Sequence, residues 1–261
     1  GPAISFAVSQ GVVSEVRLEN IDAMHQEFAA LHRHAAAQRQ EVAVAVVAVA
    51  WGDGFEQVLR TAGAHVVPCG RTMNPSTQEL LEAAEASGGR AVVLLPNNPN
   101  VIATAQQAAA LAQARGRHLY VVPTRTLPQG VAAALAFNRE LDLEANLKAM
   151  AHALEGVVTV EVARAVRDVV LGGARVRAGE FMGLVNDQLA AVGPTSLTAL
   201  QEALRKAQVR PGNLVTLYWG GELQEPGALQ AAEWVRQAFP GAEVELVYGG
   251  QPFYDFIASV E

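Results

Sequence analysis

From Glu41 onward the chain alternates short aliphatic runs with amphipathic or alanine-rich stretches. Val42 to Ala50 is a continuous Val-rich run, the pattern of a strand covered on both faces by helices. After the turn Trp51-Gly-Asp-Gly54 the spacing predicts a helix over Phe55 to Ala62. His65 to Pro68, Ala91 to Leu95 and His118 to Val122 read as further strands. Gln78 to Ala86, Val101 to Ala114 and Val131 to Phe137 read as helices, the first capped by Ser76 or Thr77. Strictly alternating strands and helices with short connections predict a right-handed, parallel, doubly wound α/β domain over residues 41–138.

The grammar changes after a predicted amphipathic helix, Leu141 to Leu154. Val157 to Val166, Arg167 to Val170, Arg175 to Val176 and Glu180 to Val185 are closely spaced strand candidates, with a Gly172-Gly173 turn, and predict an antiparallel portion. A helix from Pro194 to about Ala207, a strand Leu214 to Trp219, a helix Pro226 to Phe239 and a strand Glu243 to Val247 complete an α+β domain over 139–261. Tyr248 to Tyr254 reads as the closing loop. Before residue 41, Ala3 to Gln10 is a helix candidate, Val12 to Glu19 a strand and Ile21 to Gln40 an amphipathic helix. Residues 1–40 are expected to be the end of an upstream domain plus a linker helix. Gly1-Pro2 is compatible with a protease scar or a native start.

Composition narrows the function. Net charge is −7 with no Lys/Arg cluster, which disfavours a nucleic-acid partner. The longest apolar run, Val42 to Trp51, falls short of the ~20 residues that span a bilayer. No secretory leader pattern is visible, so the expected location is the cytoplasm. The single cysteine, Cys69, excludes an intrachain disulfide. His25 and His32 lie seven apart, yet no Asp, Glu or Cys at a matching step completes a metal site. No Walker-type loop, dinucleotide fingerprint or nucleophile elbow is present. Asp168 beside Arg167 reads as a strand-end ion pair, and no catalytic residue is assigned.

What remains is three loops at predicted strand ends: Cys69-Gly-Arg-Thr-Met-Asn-Pro-Ser-Thr77, Leu95-Pro-Asn-Asn-Pro-Asn100 and Pro123-Thr-Arg-Thr-Leu-Pro-Gln-Gly130. In a doubly wound sheet such loops gather where ligands bind. Thr72, Met73, Asn74, Ser76, Asn97, Asn98, Thr124, Thr126, Gln129 and, near the end, Gln251 are therefore the candidate ligand- or partner-binding residues. Asn, Ser, Thr and Pro are also ordinary turn and cap residues.

These loops, with Ala165-Val-Arg-Asp168 and the stretch from Gly249-Gly-Gln-Pro to Ser259-Val-Glu261, resemble the C-terminal region of bacterial fatty acid kinase, in the component related to dihydroxyacetone kinase. The resemblance implies a DegV-like two-domain arrangement. It also implies a kinase domain elsewhere that binds ATP and magnesium, with no counterpart in this sequence. It implies a DegV-type carrier protein, which presents the fatty acid, as the partner. Thr72-Met-Asn-Pro-Ser76 is similar to the Thr-Ser-Gln-Pro-Ser with which the carriers grip the acyl head group. Gln251 stands in the neighbourhood where they place a histidine. The expectation is a non-catalytic module that docks the carrier, with no cofactor of its own and homodimerisation left open. The alternative is a DegV-like protein that itself binds a fatty acid or an anion. A third reading is an enzyme using Cys69 or Asp168.

Overall fold

The computed structural model describes residues 42–261. The helix, strand and linker helix expected within residues 1–40 lie outside the described residues.

Four parallel strands form the first sheet: β1 (Val42–Ala50), β2 (His65–Pro68), β3 (Gly89–Leu95) and β4 (His118–Val121). Across the sheet they stand in the order β2-β1-β3-β4. Helices α1 (Asp53–Thr61), α2 (Thr77–Ala86), α3 (Pro99–Ala114) and α4 (Leu127–Ala136) connect or follow them. Val47 to Ala50, Val93 to Leu95, Phe55 and Leu59 are all but inaccessible to solvent. That is the burial expected of an aliphatic strand sandwiched between helices. Ser76 caps α2 in a reciprocal capping box with Glu79, and Asn98 and Thr126 cap α3 and α4. The short fifth helix, α5 (Leu143–Ala153), starts at the Asp142 cap. It packs Met150 into this first core rather than serving as a mere connector.

The second sheet is built from six strands: β5 (Val158–Arg164), β8 (Phe181–Val185), β9 (Gln188–Gly193), β10 (Leu214–Trp219), β11 (Glu243–Tyr248) and β12 (Tyr254–Val260). Their order is β11-β10-β12-β5-β8-β9. A separate hairpin, β6 (Val169–Leu171) with β7 (Ala174–Val176), turns at Gly172-Gly173. Helices α6 (Ser196–Lys206) and α7 (Glu225–Ala238) cover one face. All pairings in this sheet are antiparallel except β10 with β11.

Strand alternation divides this sheet between two cores. Phe256, Ala258 and Val260 of β12 and Val215 and Leu217 of β10 face α6 and α7. Ile257 and Tyr218, one residue out of phase, join the core of the parallel sheet. There the Tyr218 ring stacks on Phe55 at 4.4 Å. The chain also pinches together at the α1 entry. Gly54 lies so close to the Tyr248 carbonyl that a Cβ would stand 1.9 Å from its oxygen, and Phe55 N–H donates to the Gly249 carbonyl at 3.0 Å.

Four sequence expectations change. Helix α4 begins at Leu127, not Val131, because Thr126 caps it and Pro128 fits its first turn, where no amide donor is needed. Gly130 is therefore inside a helix. Strand β9 is added, because Asn186 and Asp187 both adopt positive φ and form a two-residue hairpin turn without glycine. Strand β12 is also added: it follows the expected closing loop, whose residues 249–253 carry no strand, and lies in the middle of the sheet. Asp168 pairs with Arg175 at 3.5 Å, across the β6–β7 hairpin, and not with its neighbour Arg167.

Replacing an interior helical glycine with alanine ordinarily stabilises by about 1 kcal/mol. At Gly130 the sign reverses, because a Cβ would sit 2.1 Å from Asn97 Oδ1. Gly130→Ala is expected to destabilise by about 1–3 kcal/mol in urea unfolding, whereas alanine at the exposed Gly156 has open space around it and an ordinary φ.

Candidate functional site

The three polar loops meet at the carboxyl edge of the parallel sheet. Asn97 N–H donates to Thr124 Oγ1 at 3.0 Å, joining the second loop to the third. Asn98 Nδ2 donates to the Met73 carbonyl at 3.5 Å, joining the second to the first. Most of their polar atoms, however, are spent on the fold. Thr72 Oγ1 donates to the Cys69 carbonyl, and Ser76 accepts from Glu79 N–H. Thr126 Oγ1 meets Thr159 Oγ1 at 2.8 Å, a buried link from α4 to the second sheet. Gln129 Oε1 accepts from Arg125 N–H. Gln251 is buried, and its Nε2 donates to the Tyr218 carbonyl. Asn74 is exposed at the loop tip.

A cleft of about 420 Å³ opens beside these loops, between the two sheets. The parallel side contributes Trp51, Met73, Asn97, Asn98 and Arg125, and the second sheet contributes Glu161, Asp187 and Tyr254. Alternation explains the second set. Val160 and Val162 point into the core under α6, so Glu161 between them points the other way, toward the cleft. A register shift between Tyr254 and Phe256 brings Tyr254 onto the same wall, opposite Ala163. Asp187 sits at the β8–β9 turn, which Asn186 fastens to β5 through both the amide and the carbonyl of Thr159. Arg125 Nη2 then donates to Asp187 Oδ2 at 2.8 Å, spanning the cleft mouth.

The electrostatics follow from this placement. Burial, and secondarily the Asp187 charge, push the Glu161 carboxyl up to about 7. Burial, with Glu161 and Asp187 behind it, pushes the Tyr254 phenol up to about 12. Asn97, Asn98 and Met73 were legible as candidates. Glu161, Asp187, Tyr254 and Trp51 were not, since each is one polar or aromatic residue in a strand or turn with no motif around it, and Arg125 lies in the third loop without having been singled out.

Cys69 does not serve a nucleophilic reading. Its Sγ donates to the Ala50 carbonyl at 3.2 Å. Burial and the charges of Glu56 and Glu79 push the thiol up to about 12. Among the described residues no cluster of three or more His, Cys, Asp or Glu could hold a metal ion, and no helix is long and apolar enough to cross a membrane.

A doubly wound sheet followed by a mixed sheet, with the cleft between them, defines the DegV and dihydroxyacetone-kinase class of fold. The chain superposes on a Thermotoga maritima protein described as revealing fatty acid binding function, with a TM-score of 0.62 at 12% identity, over 84% of this chain and 99% of that one. It superposes on the dihydroxyacetone kinase of C. freundii with a TM-score of 0.61 at 14% identity, over 86% of this chain and 49% of the kinase. The linoleic-acid-loaded fatty acid kinase B3 protein of Streptococcus pneumoniae gives 0.55 at 13%, over 83% and 99%. In sequence, residues 45–261 match the FakA-like C-terminal family of fatty acid kinase, and the chain belongs to that family. Uncharacterized Staphylococcus aureus proteins are 29% identical over all of this chain, which spans 47% of their length.

Two outcomes are expected. A Glu161 that titrates near 7 holds its proton in the folded state while the unfolded chain has already released it above about 4.5. Stability from this group is therefore lost as pH rises from about 4.5 to about 7. Glu161→Gln removes that loss. Its stability advantage over the parent should be absent at pH 4, grow to as much as roughly 3 kcal/mol by pH 7 and stay level above it, as read by urea unfolding. Cys69 should react with iodoacetamide at pH 8 at least tenfold more slowly than a free thiol, because the thiolate is the reactive form.

Proposed function

We propose that this fatty-acid-kinase-related module docks a DegV-type fatty-acid-binding protein and performs no chemistry itself. Acyl phosphate formation, with its ATP and magnesium, belongs to a kinase domain outside this sequence, and the setting is the cytoplasm. The observation that carries the docking reading over direct fatty-acid binding is the character of the cleft. Thr72 and Ser76, matched to the head-group grip of the carriers, are engaged with Cys69 and Glu79. The cleft wall beyond Met73 presents two carboxyl groups, Glu161 and Asp187, against the single cation Arg125, a balance that opposes a carboxylate. The fold is that of a carrier, while the chemistry for a carrier's cargo is missing at the place where it is needed.

The surface that supports docking is the β6–β7 hairpin with the residues flanking it. Val166 is 91% and Val170 68% exposed, with Leu171, Arg167 and Arg177 also open to solvent. Apolar side chains clustered in this way mark contact sites on soluble proteins.

The test is the affinity of the chain for a purified DegV-type fatty-acid-binding protein by calorimetry. A 1:1 complex is expected in the micromolar range or tighter, and Val170→Asp should weaken it at least tenfold without moving the unfolding midpoint. The absence of binding at micromolar concentration overturns the proposal.

A further inference from the structure

We propose that the β6–β7 hairpin is matched to an acidic surface on its protein partner, with an apolar patch inside the acidic rim, and that its arginines steer the encounter. This inference rests on the docking reading above and adds the chemistry of the surface that the hairpin meets.

The hairpin sorts its side chains by register. Val169 stands opposite Val176, and Val170 opposite Arg175. Val176 is fully buried and Val169 half-buried, so that face turns toward the protein. The other face carries Val170 and Arg175 into solvent. Val166, in the bend before β6, is almost fully exposed.

The nearby charges divide in the same way. Residues 164–180 hold four arginines, Arg164, Arg167, Arg175 and Arg177, against two carboxylates, Asp168 and Glu180, in a chain of net charge −7. Both carboxylates are engaged at the base of the hairpin. Asp168 accepts from Ala178 N–H at 2.9 Å and pairs with Arg175 at 3.5 Å. Glu180 accepts from Arg177 N–H at 2.7 Å. Arg164 is held as well, since its Nε donates to the Gly179 carbonyl at 3.3 Å. Arg167 and Arg177 are exposed, and neither has a carboxylate at ion-pair distance among the described residues. Two uncommitted guanidinium groups therefore accompany the exposed valines.

That pairing specifies the partner. The planar donors of arginine match carboxylates, and the valines need an apolar surface to cover them. Exposed ion pairs add little affinity once formed, but a group of like charges speeds encounter with a patch of the opposite sign. The valines supply the lasting contact and the arginines the approach. An anionic lipid surface fits less well. The hairpin turns at Gly172-Gly173, so its tip has no side chain to insert, and its apolar groups lie on the flank.

Stopped-flow association of the full chain with a purified DegV-type fatty-acid-binding protein, run at 50 and 500 mM sodium chloride, tests this. The association rate constant is expected to fall at least tenfold across that range, with dissociation changing much less. The double variant Arg167→Glu, Arg177→Glu should associate about tenfold more slowly at 50 mM salt and lose most of the salt dependence, with its unfolding midpoint unmoved. Arg167→Lys, Arg177→Lys should keep the parent rate, and Val170→Asp should act mainly by hastening dissociation. A complex whose association ignores salt, or survives the double charge reversal unchanged, overturns this inference and leaves the docking reading standing. The absence of any complex at 50 mM salt overturns both. Binding of the chain to phosphatidylserine-containing vesicles with the same arginine dependence, where the carrier shows none, assigns the hairpin to a lipid surface and overturns the inference as well.

Discussion

Everything in residues 42–261 depends on one sheet being shared by two hydrophobic cores. The strands β10, β12 and β5 turn alternate side chains to opposite sides. Phe256 and Leu217 fill the core beneath α6 and α7, while Ile257 and Tyr218 complete the core of the parallel sheet. Neither face is left for water in the middle of the sheet. Burial of this kind is worth about 1.5–3 kcal/mol per large side chain, so the two halves are bound by the same interaction that folds each of them. The Phe55–Tyr218 stack and the Thr126–Thr159 hydrogen bond set the spacing. The cleft is the gap that this spacing leaves at the carboxyl edge.

That arrangement explains the chemistry of the site. A strand whose neighbours must be apolar on one side is free to carry polar groups on the other, but only where that side meets the cleft. Glu161 occupies such a position, and its proton affinity reports how little water reaches it. The loops that a wound sheet collects at its edge have, in this chain, turned their hydrogen bonds inward. Thr126 ties the two halves together through Thr159, Thr124 joins two loops of the parallel sheet, Gln251 holds the β11–β12 loop to β10, and the acidic groups lie across the gap on the other sheet.

Much of the fold was legible because its signals are local. Val42 to Ala50 was read with its observed bounds, since a strand buried on both faces is written as an unbroken aliphatic run, and the short edge strand His65 to Pro68 was read with its observed bounds too. The same holds for Leu214 to Trp219. What escaped was written in weaker signs. The turn at Asn186-Asp187 has no glycine to announce positive φ, so β9 was missed. Strand β12 mixes Asp255 and Ser259 with apolar residues behind a Gly-Gly-Gln-Pro turn, and its central position rests on pairing with β5, far earlier in the chain. The candidate site was legible by place and not by composition. The three loops do converge, but the residues across the gap come from a sheet whose register no local pattern reveals.

The position of β12 also bears on how the protein is made. The parallel sheet is complete once β4 and α4 have been synthesised, whereas β10 and β5 have no partner between them until residue 260 exists. During translation the first half can settle while β5, β8 and β10 wait with open edges, in the state most exposed to sticking to other chains. Chaperone attention, if the cell provides it, should fall on nascent chains that have passed residue 164 and not yet reached the last strand.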